Sequence, residues 1–452
     1  MGDRVIDNLK KKYRNKKVLI VGLGLQGGGE GAARFFAELG AIVTVTDKKP
    51  KEKLLQSNIR LSDLPITFRL GEHRLSDFIE ADFIIKGPSV LWSIPEIVAA
   101  IKSNIPVEME VSFFAKHFPG KIIGVTGTRG KSTTTQMIFN ILKFSGMPVF
   151  LGGGLPGIST INYLKSLSEK DWVVLELSSW SLSGFHRDKI SPHIAVLTNL
   201  YPDHLNYYKG MDDYFYDKKA AYLYQKKEDY LIVNNYVNDL INEELNSKKI
   251  TFSKSDFPYK LNFLSGDHNI ENAAASLKVA DVLKINKEVA VNIIQNFKGL
   301  PFRQQTIREV DKITFVNDTT SSTPIATVRA IESFSDKKII LILGGNSKNL
   351  PIGNLIDKLT DVEKIIFLAG SFTDRFKNEI IIKHPTKAKD KVFDDLKDAI
   401  IEAVKLAKTI QSKTENEKKS VIILFSPGAT SFSMFDNEFQ RGDEFNKIVK
   451  TL

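Results

Sequence analysis

Residues 121–138 read KIIGVTGTRGKSTTTQMI, an apolar run followed by a glycine-rich loop with one lysine and then by a run of hydroxyl residues. The apolar half is typical of a strand buried on both faces, and the hydroxyl-rich half is typical of a helix start. Glycines at 127 and 130 let backbone amides turn inward, Lys131 can reach terminal phosphates, and Ser132 can ligate Mg²⁺. The stretch therefore predicts a phosphate-binding loop in an α/β domain that binds ATP.

This loop departs in one place from the usual spacing. The common pattern would have a glycine at position 125, where this chain has Val125. The order of strand, loop and helix is nevertheless complete, so we interpret the loop as a variant. The residues that we predict to contact the nucleotide are Gly127, Thr128, Gly130, Lys131, Ser132 and Thr133.

A second glycine motif lies near the N-terminus, in VLIVGLGLQGGGEGAARFF, residues 18–36. Gly22, Gly24 and Gly27 have the spacing G-x-G-x-x-G between a strand and a helix, and Asp47 ends the next strand. Small residues there let the backbone approach a pyrophosphate, and the acid can meet a ribose hydroxyl. The motif fits a dinucleotide such as NAD or a UDP-sugar, and a purely structural turn stays open.

Apolar strand candidates alternate with helical segments along most of the chain, and segments such as 324–334 and 394–408 have helical spacing. The strand candidates are KVLIVGL, AIVTVTD, DFIIKG, KIIGVTG, WVVLELS, IAVLTNL, YLIVNN, ITFVND, KIILILGG, KIIFLAG and SVIILFSPG. Alternating strands and helices favour parallel sheets. We predict an α/β fold with a Rossmann-like N-terminal domain, a central P-loop ATPase-like domain and a Rossmann-like C-terminal domain.

The chain has 452 residues, too many for one core, and roughly 150 residues per domain suggests about three domains. A Pro-Gly pair follows a helical stretch near KHFPGK, residues 116–121, and another Gly and Pro follow one near FKGLPFRQQ, residues 297–305. The predicted domains are therefore 1–118, 119–299 and 300–452.

Composition limits the class of protein and its location. With 42% hydrophobic and 26% charged residues, the chain has the composition of an ordinary soluble protein. Zero cysteines exclude disulfides, thiolate catalysis and cysteine zinc sites. No apolar run is long enough for a membrane helix or a signal peptide, so we expect a cytoplasmic protein without a membrane partner. The net charge of +10 is spread along the chain without a nucleic-acid-binding motif, which favours a solvated surface or small polyanions over nucleic acid.

Nine short stretches, in order, resemble the Mur ligases of peptidoglycan synthesis, most closely the members that add D-glutamate. These stretches are VGLGLQG, GVTGTRGKST, LELSSWSL, NLYPDHLNYY, GDHNIENAAAS, GLPFR, FVNDTTSSTP, LILGGNSK and LFSPGATSF. The resemblance implies an ATP-dependent amide ligase that joins D-glutamate to UDP-N-acetylmuramoyl-L-alanine through an acyl phosphate, releasing ADP and phosphate. It also explains two nucleotide motifs in one chain, because the first domain would hold UDP and the second ATP. The residues implied for the UDP-sugar are Gly22, Gly24, Leu25, Gln26, Gly27 and Asp47.

Glu176 and His204 each follow a central strand, where ligands bind in open α/β sheets. The resemblance implies that both bind a second Mg²⁺, with Mn²⁺ as an alternative metal, while Ser132 binds the first. Many Mur ligases carry a lysine carbamylated by CO₂, and the matching position is Lys218. Lys219 is adjacent, so the register can be off by one.

Recognition of adenine needs amides that donate and accept together. The resemblance places this contact at Asn269 and Asn272 in GDHNIENAAAS, and it leaves His268 a structural role. Arg303 in GLPFR and Asp318 in FVND match positions that approach the phosphates and the ribose, and an interdomain salt bridge is the alternative for either.

A dicarboxylate amino acid calls for a cation together with hydroxyl or amide donors. The resemblance assigns these roles to Lys348, Ser431 and Phe432, with Ser322 where the family has a small hydroxyl residue and Ser178 in LELSSWSL among the substrate contacts.

Four positions depart from the family pattern. Thr320 replaces a frequent lysine, Glu438 lies where an aromatic residue is common, Gly154 replaces a frequent asparagine, and KGPSV replaces the usual Ser-Pro-Gly turn. These differences bear on the amino acid and on the sugar contacts more than on the type of reaction.

Other functions stay open. A sibling Mur ligase would add L-alanine, L-lysine or diaminopimelate, and a folate or poly-glutamate ligase would share only the central domain. An NAD-dependent oxidoreductase would use the first glycine motif alone. A non-catalytic binding protein is disfavoured, because Lys131, Ser132, Glu176 and His204 are all present. We expect a monomer that acts on small molecules.

Overall fold

The computed structural model describes residues 2–23, 27–154, 158–205, 207–413, 420–431 and 434–452. Four predicted site residues, Gly24, Leu25, Gln26 and Phe432, lie outside them. The chain forms two compact units. The first comprises Met1–Leu200, Asp212–Phe257 and Asn272–Ile293, and the second comprises Tyr201–Met211, Pro258–Glu271 and Ile294–Leu452.

The first unit contains two parallel sheets. The strands of the first sheet, in the order β3-β2-β1-β4-β5, are β1 (Lys17–Val21), β2 (Ile42–Asp47), β3 (Ile66–Leu70), β4 (Phe83–Lys86) and β5 (Val107–Met109). One face of this sheet is covered by an aromatic cluster in which Tyr13, Phe36, Phe83 and Phe113 lie within 6 Å of one another by ring centroids. Its carboxyl edge carries the first glycine motif.

The second sheet is parallel throughout and has the order β11-β10-β9-β6-β8-β7. Its strands are β6 (Lys121–Thr126), β7 (Val149–Gly153), β8 (Trp172–Glu176), β9 (Ile194–Leu197), β10 (Tyr230–Asn234) and β11 (Lys248–Phe252). Strand β6, from the stretch KIIGVT, lies between β8 and β9. The carboxyl ends of these three neighbours therefore meet at one edge.

The second unit contains the third sheet, in the order β12-β13-β17-β14-β15-β16. Its strands are β12 (Gln305–Val310), β13 (Ile313–Asn317), β14 (Lys338–Gly344), β15 (Val362–Leu368), β16 (Ala388–Phe393) and β17 (Val421–Phe425). Alternate residues of β14 pack into separate cores: Leu341 and Leu343 on one face, Ile340 and Ile342 on the other. Both faces of the central strands are thus buried, which is why they are almost purely apolar.

Helices connect the strands of all three sheets. They are α1 (Gly2–Tyr13), α2 (Gly28–Glu38), α3 (Leu55–Arg60), α4 (Leu75–Ile79), α5 (Pro95–Lys102), α6 (Glu110–His117), α7 (Lys131–Phe144), α8 (Ser179–Asp188), α9 (Met211–Lys219), α10 (Asn235–Asn238), α11 (Asp267–Val282), α12 (Lys287–Gln295), α13 (Pro324–Ser333), α14 (Gly353–Lys358), α15 (Ser371–Lys383), α16 (Leu396–Lys413) and α17 (Glu438–Thr451). Short 3₁₀ helices span Lys51–Leu54, Thr160–Lys165, Lys254–Asp256 and Leu359–Asp361. Among the described residues, no helix has the length and apolarity needed to cross a bilayer.

All eleven strand candidates are strands, and the helical spacing at 324–334 and 394–408 corresponds to α13 and α16. The pattern missed β3, β5, β7, β11, β12 and β16. Strands β11 and β16 are at sheet edges and largely exposed, so they lack a continuous apolar run. Strand β12 also pairs antiparallel with β13, so the third sheet is mixed. The predicted boundaries 118/119 and 299/300 stay predictions.

Glu110, the first residue of α6, is a partly buried carboxyl in the first unit. It accepts hydrogen bonds from the Ile161 N–H at 2.6 Å and the Ser159 hydroxyl at 3.5 Å. Burial raises the pKa of Glu110 from 4.5 to about 7 against the effect of these bonds. Between those two pH values the folded chain holds a proton that the unfolded chain has lost, so stability falls as the pH rises through this range.

Glu110→Gln should remove this pH dependence. As the pH rises from 4.5 to 8, the free energy of unfolding of Glu110→Gln should increase relative to that of wild type by up to about 3 kcal/mol. Urea unfolding at several pH values measures this difference. The exposed control Glu52→Gln should keep the wild-type pH dependence, and a constant difference between Glu110→Gln and wild type would contradict the account.

Candidate active site

The loop after β6 is built around two glycines. Gly130 has a φ of 80° and precedes α7, and a Cβ there would lie 2.2 Å from Asn272 Oδ1. Gly127 has a φ of 140°, and its Cβ would lie 2.0 Å from Thr198 Oγ1. Both positions therefore require glycine, because side chains would clash with neighbours that hold the loop.

Residues after β9 support this loop from the adjacent strand. The Arg129 N–H donates to Asn199 Oδ1 at 2.8 Å, and Asn199 Nδ2 donates back to the Arg129 carbonyl at 3.0 Å. Thr198 Oγ1 donates to the same carbonyl at 2.6 Å. Asn199 is a supporting residue that the sequence analysis missed, although it lies in the NLYPDHLNYY stretch.

Lys131, at the start of α7, lies over its own loop. Its Nζ donates to the carbonyls of Gly127 at 3.1 Å and Thr128 at 3.0 Å. Ser132 and Thr133 follow it in the first turn of the helix and are buried. The ammonium and the helix N-terminus are thus at the carboxyl edge of the sheet, which favours anionic groups.

Lys218, near the end of α9, points at the same loop. It is 1% exposed, and its Nζ donates to the Gly127 carbonyl at 2.9 Å and to Thr126 Oγ1 at 3.4 Å. Tyr214 packs against the lysine, and its hydroxyl lies 3.2 Å from Thr128 Oγ1. The neighbouring Lys219 instead forms an ion pair with Glu243. Of the two lysines, Lys218 is the one directed at the loop.

Glu176, the last residue of β8, is paired with Val125 near the end of β6. Its Oε2 is buried and has no hydrogen-bond partner among the described residues. Its backbone carbonyl accepts the Gly154 N–H at 2.9 Å, so Gly154 supports this strand end. A buried carboxylate oxygen without a donor is costly, and a bound cation would satisfy it.

The fit to Mg²⁺ is therefore partial. Across the described residues, no group of three or more His, Cys, Asp or Glu side chains could hold a metal by itself. The unsatisfied oxygen of Glu176 suits one magnesium ion and the Ser132 hydroxyl suits another, since Mg²⁺ often keeps few protein ligands and binds phosphates.

The predicted adenine contacts have protein partners of their own. Asn272 Oδ1 accepts from Thr134 Oγ1 at 3.2 Å, and Asn269 Nδ2 donates to the Ser265 carbonyl at 2.8 Å. Burial lowers the pKa of His268 to about 4, and its Nε2 lies 3.4 Å from Gln304 Nε2. A neutral, partly buried ring agrees with a structural role for this histidine.

In the second unit, Asp203 links two predicted site residues. Lys348 Nζ lies 3.2 Å from Asp203 Oδ1, with side-chain exposures of 15% and 4%. His204 has a left-handed φ of 54°, donates its N–H to Asp203 Oδ1 at 2.8 Å, and has its Nε2 3.6 Å from Asp203 Oδ2. The sequence analysis missed Asp203, although it precedes His204 in YPDHL.

Asp318, directly after β13, is fully buried. It accepts hydrogen bonds from Ser426 Oγ at 2.8 Å and from the Gln304 N–H at 3.1 Å. Burial raises the pKa of Asp318 to about 6, while these hydrogen bonds and the charge of Arg303 oppose the shift. Because the residue after Arg303, Gln304, bonds to Asp318 through its N–H, the chain at Arg303 passes close to Asp318.

Ser322 and Ser431 lie on loops after neighbouring strands, β13 and β17. Ser431 is 3% exposed, and the Ser322 N–H donates to the Thr320 carbonyl at 2.9 Å. Thr320, which replaces a frequent family lysine, donates its hydroxyl to the Phe302 carbonyl at 2.9 Å. It thus anchors the loop and supplies no charge.

Two other predicted substrate contacts have structural partners. Asp47 accepts the Leu23 N–H at 2.9 Å and the Lys49 N–H at 2.9 Å, so it holds the start of the first glycine loop. Gly22 and Gly27 both have positive φ angles. Ser178 caps α8 by accepting the Ser181 N–H at 3.0 Å.

The KGPSV turn is organised around its lysine, Lys86. Lys86 is 1% exposed, and its Nζ donates to the Gly87 and Val90 carbonyls at 3.1 and 2.8 Å. The same Nζ lies 4.4 Å from the centroid of the Trp92 ring. The Arg187 guanidinium lies 3.9 Å from the centroid of that ring. Burial, aided by Arg187, lowers the pKa of Lys86 to about 7. Lys86 therefore closes this turn on itself.

Comparisons with known proteins identify relatives of this chain. Residues 125–263 match the Mur ligase middle domain, and residues 16–108 match the MurD-like N-terminal domain of Mur ligases. The chain is 32% identical to a UDP-N-acetylmuramoylalanine--D-glutamate ligase from Roseiflexus sp. (strain RS-1), over 97% of this chain and 99% of the relative. It is 33% identical to a ligase of the same name from Clostridium botulinum (strain Langeland), over 98% of each chain.

Solved structures share the fold at lower identity. A UDP-N-acetylmuramate-alanine ligase from Thermotoga maritima aligns with a TM-score of 0.59 and 19% identity, over 96% of this chain and 99% of that one. A MurF ligase from Thermotoga maritima in complex with ADP aligns with a TM-score of 0.57 and 19% identity, over 98% and 97%. The chain belongs to the Mur ligase family.

Proposed function

We propose that this protein is an ATP-dependent ligase that forms an amide bond between D-glutamate and UDP-N-acetylmuramoyl-L-alanine, a step of peptidoglycan precursor synthesis. The observation that carries the proposal is the loop at residues 126–132, with Lys131 and Lys218 both on the Gly127 carbonyl. The near full-length likeness to D-glutamate ligases supports the choice of amino acid.

The first glycine motif, after β1, would hold the UDP portion of the substrate. Gly22 and Gly27 leave room for the backbone to approach a diphosphate, and Asp47 keeps the loop in place through the Leu23 N–H. Gly24, Leu25 and Gln26 complete the proposed contacts.

The reaction would proceed in two steps. A carboxylate oxygen of UDP-N-acetylmuramoyl-L-alanine attacks the γ-phosphorus of ATP, ADP leaves, and an acyl phosphate forms. The amine of D-glutamate then attacks the acyl carbon, the amine loses a proton, and phosphate leaves with the former carboxylate oxygen. Lys131 stabilises the charge on the transferring phosphoryl oxygens, while Gly127 and Gly130 shape the amides around them.

Magnesium would neutralise phosphate charge at this site when bound. Ser132 would hold the first ion, and Glu176, His204 and a carbamylated Lys218 would hold the second. For Glu176 the support is its buried, unsatisfied oxygen. The adenosine and phosphates would be bound by Asn269, Asn272, Arg303 and Asp318.

The enzyme would act as a cytoplasmic monomer without nucleic-acid or membrane partners.

Carbamylation would turn the Lys218 ammonium into an anion beside the loop. Its burial and its direction toward Gly127 favour Lys218 over Lys219, which pairs with Glu243. Protein equilibrated with ¹³C-bicarbonate should show one carbamate carbon resonance that is lost in Lys218→Arg and retained in Lys219→Arg. A spectrum without that resonance, or one that depends on Lys219, would overturn the assignment.

The D-glutamate site would lie at Lys348, Ser322, Ser431 and Phe432. Lys348→Met should raise the KM for D-glutamate by about tenfold or more, because the cation for a carboxylate is lost. The KM for ATP should change little. Steady-state phosphate release at varied D-glutamate measures the effect, and Lys383→Met on the exposed face of α15 is the matched control.

The ion pair with Asp203 provides a further control, because Lys348→Met leaves a buried carboxylate unpaired. The double variant Lys348→Met/Asp203→Asn should recover thermal stability but keep the high KM. A double variant with the wild-type KM would show that Lys348 acts only through stability.

The function itself is tested by phosphate release with ATP, Mg²⁺ and UDP-N-acetylmuramoyl-L-alanine over a panel of D- and L-amino acids. We expect release with D-glutamate and little with L-glutamate, L-alanine, L-lysine or diaminopimelate. Release with another member of the panel would reassign the substrate, with Thr320 and Glu438 as the first residues to examine.

A further inference from the structure

Arg441, in α17, is a buried arginine that the sequence analysis did not select. It is 1% exposed, and burial lowers its pKa to about 10. Its Nε donates to Thr319 Oγ1 at 2.9 Å, and its Nη2 donates to the carbonyls of Thr319 at 2.8 Å and Ala429 at 3.2 Å. The guanidinium therefore joins the loop after β13 to the loop after β17.

The third nitrogen of the guanidinium, Nη1, is buried and has no hydrogen-bond partner among the described residues. This nitrogen lies behind Gly345, because a Cβ added to Gly345 would lie 3.4 Å from Nη1. Gly345 follows β14 and begins the loop that carries Lys348. This loop bridges to the β17 loop, because Asn346 and Thr430 exchange two N–H···O bonds of 2.9 Å.

Strands β13, β17 and β14 are consecutive neighbours in the third sheet, so Arg441 lies beneath three adjacent loops at their carboxyl ends. The same three loops carry Ser322, Ser431 and Lys348, the residues proposed for the amino acid. Arg441 is thus placed to affect all three contacts at once.

A buried guanidinium is normally paired with an acid, because transfer of a charge from water is costly. The acid that acts on Arg441 is Glu438, one turn earlier in α17, and its effect is smaller than that of burial. Its hydrogen bonds are to neutral oxygens, and its other polar contact is with the Phe425 ring, whose centroid lies 5.8 Å away. Most of the positive charge is therefore left to act on whatever binds above these loops.

We propose that Arg441 is a positioning and specificity-determining residue of the amino-acid site. Its guanidinium fixes the loops after β13 and β17 and holds a permanent positive charge behind the loop after β14, so that the site favours an amino acid with two carboxylates. This inference rests on the proposed function. It adds a second cation to Lys348, placed behind the loops where it does not touch the substrate.

The test compares wild type with Arg441→Met, Arg441→Lys and the exposed control Arg308→Met. The KM for D-glutamate is measured beside the KM values for ATP and UDP-N-acetylmuramoyl-L-alanine. D-glutamine, which has the same shape but lacks the side-chain charge, is used as a competitive inhibitor. Thermal unfolding checks that each variant is folded.

Arg441→Met should raise the KM for D-glutamate by about tenfold or more, while the other two KM values and the Ki of D-glutamine change by less than about threefold. The preference for the charged side chain should therefore fall. Arg441→Lys keeps the charge, so its preference for D-glutamate over D-glutamine should stay within about threefold of wild type. Its kcat should fall, because the lysine loses hydrogen bonds that the guanidinium makes. Arg308→Met should match wild type.

A folded Arg441→Met enzyme with an unchanged preference for D-glutamate over D-glutamine would overturn the proposal. Equal increases in all three KM values would do the same, because they indicate a general structural role. If Arg441→Met does not fold, Arg441→Lys decides: wild-type kcat and KM would overturn the proposal. Wild-type enzyme that releases no phosphate with D-glutamate would instead refute the proposed function.

Discussion

Lys131→Ala should lower the rate of phosphate release by about a thousandfold or more without unfolding the protein. Lys131 brings an ammonium to the loop at residues 126–132, where its Nζ lies about 3 Å from the carbonyls of Gly127 and Thr128. A cation at that point stabilises charge on the transferring phosphoryl group, and removal of such a group typically has a large effect on kcat. The measurement is kcat for phosphate release at saturating substrates, together with the thermal unfolding midpoint.

The matched control is Lys143→Ala, at the exposed opposite end of the same helix α7. Both variants lose one lysine from one helix, but only Lys131 lies at the loop. The control should keep wild-type kcat. A Lys131→Ala enzyme with kcat near that of the control would show that the loop does not handle the transferred phosphate.

Glu176→Gln should lower kcat by about a hundredfold or more and raise the concentration of Mg²⁺ needed for half-maximal rate. The Glu176 side chain keeps its shape in this variant but loses its charge, and its buried Oε2 has no donor among the described residues. An amide is a poor ligand for Mg²⁺ compared with a carboxylate. A titration of the rate with Mg²⁺ and with Mn²⁺ measures the change.

Glu169→Gln, exposed in the turn before β8, is the control for this variant and should leave the Mg²⁺ dependence unchanged. The stability of Glu176→Gln should equal or exceed that of wild type, since the buried oxygen that lacks a hydrogen-bond donor no longer carries a share of a negative charge. Unchanged Mg²⁺ dependence with full activity would remove Glu176 from the metal site.

The fold could be predicted where strands are buried on both faces. Such strands, for example β6, β14 and β17, are continuous apolar runs, so the sequence shows them directly. Strands at the sheet edges, such as β11 and β16, have exposed residues and no such run, and they were missed. The antiparallel direction of β12 also escaped prediction, because direction depends on the short turn at Asp311 and Lys312, both with positive φ.

The strand, glycine loop and helix that carry the proposed nucleotide contacts could be predicted, because glycine spacing, a lysine and hydroxyl groups are adjacent in the sequence. The supporting residues could not, because their partners are far away along the chain. Asn199 supports Arg129, Asp203 pairs with Lys348, and Arg441 reaches the loop residues Thr319 and Ala429 from α17. Only tertiary structure brings these groups together.

The choice between Lys218 and Lys219 illustrates the same limit. Both candidates are lysines and they are adjacent in the sequence, but successive side chains on a helix point in directions about 100° apart. In the structure Lys218 faces Gly127 and Lys219 faces Glu243. Orientation on α9 therefore separates the two candidates, where spacing along the chain could not.

The central claim is that the chain transfers a phosphoryl group from ATP to the carboxylate of the UDP-linked substrate. The most direct measurement uses UDP-N-acetylmuramoyl-L-alanine with ¹⁸O in both carboxylate oxygens, ATP and D-glutamate, followed by mass analysis of the products. The account predicts that the released phosphate carries one ¹⁸O and that the new amide keeps the other. Amide product formed with unlabelled phosphate would contradict it.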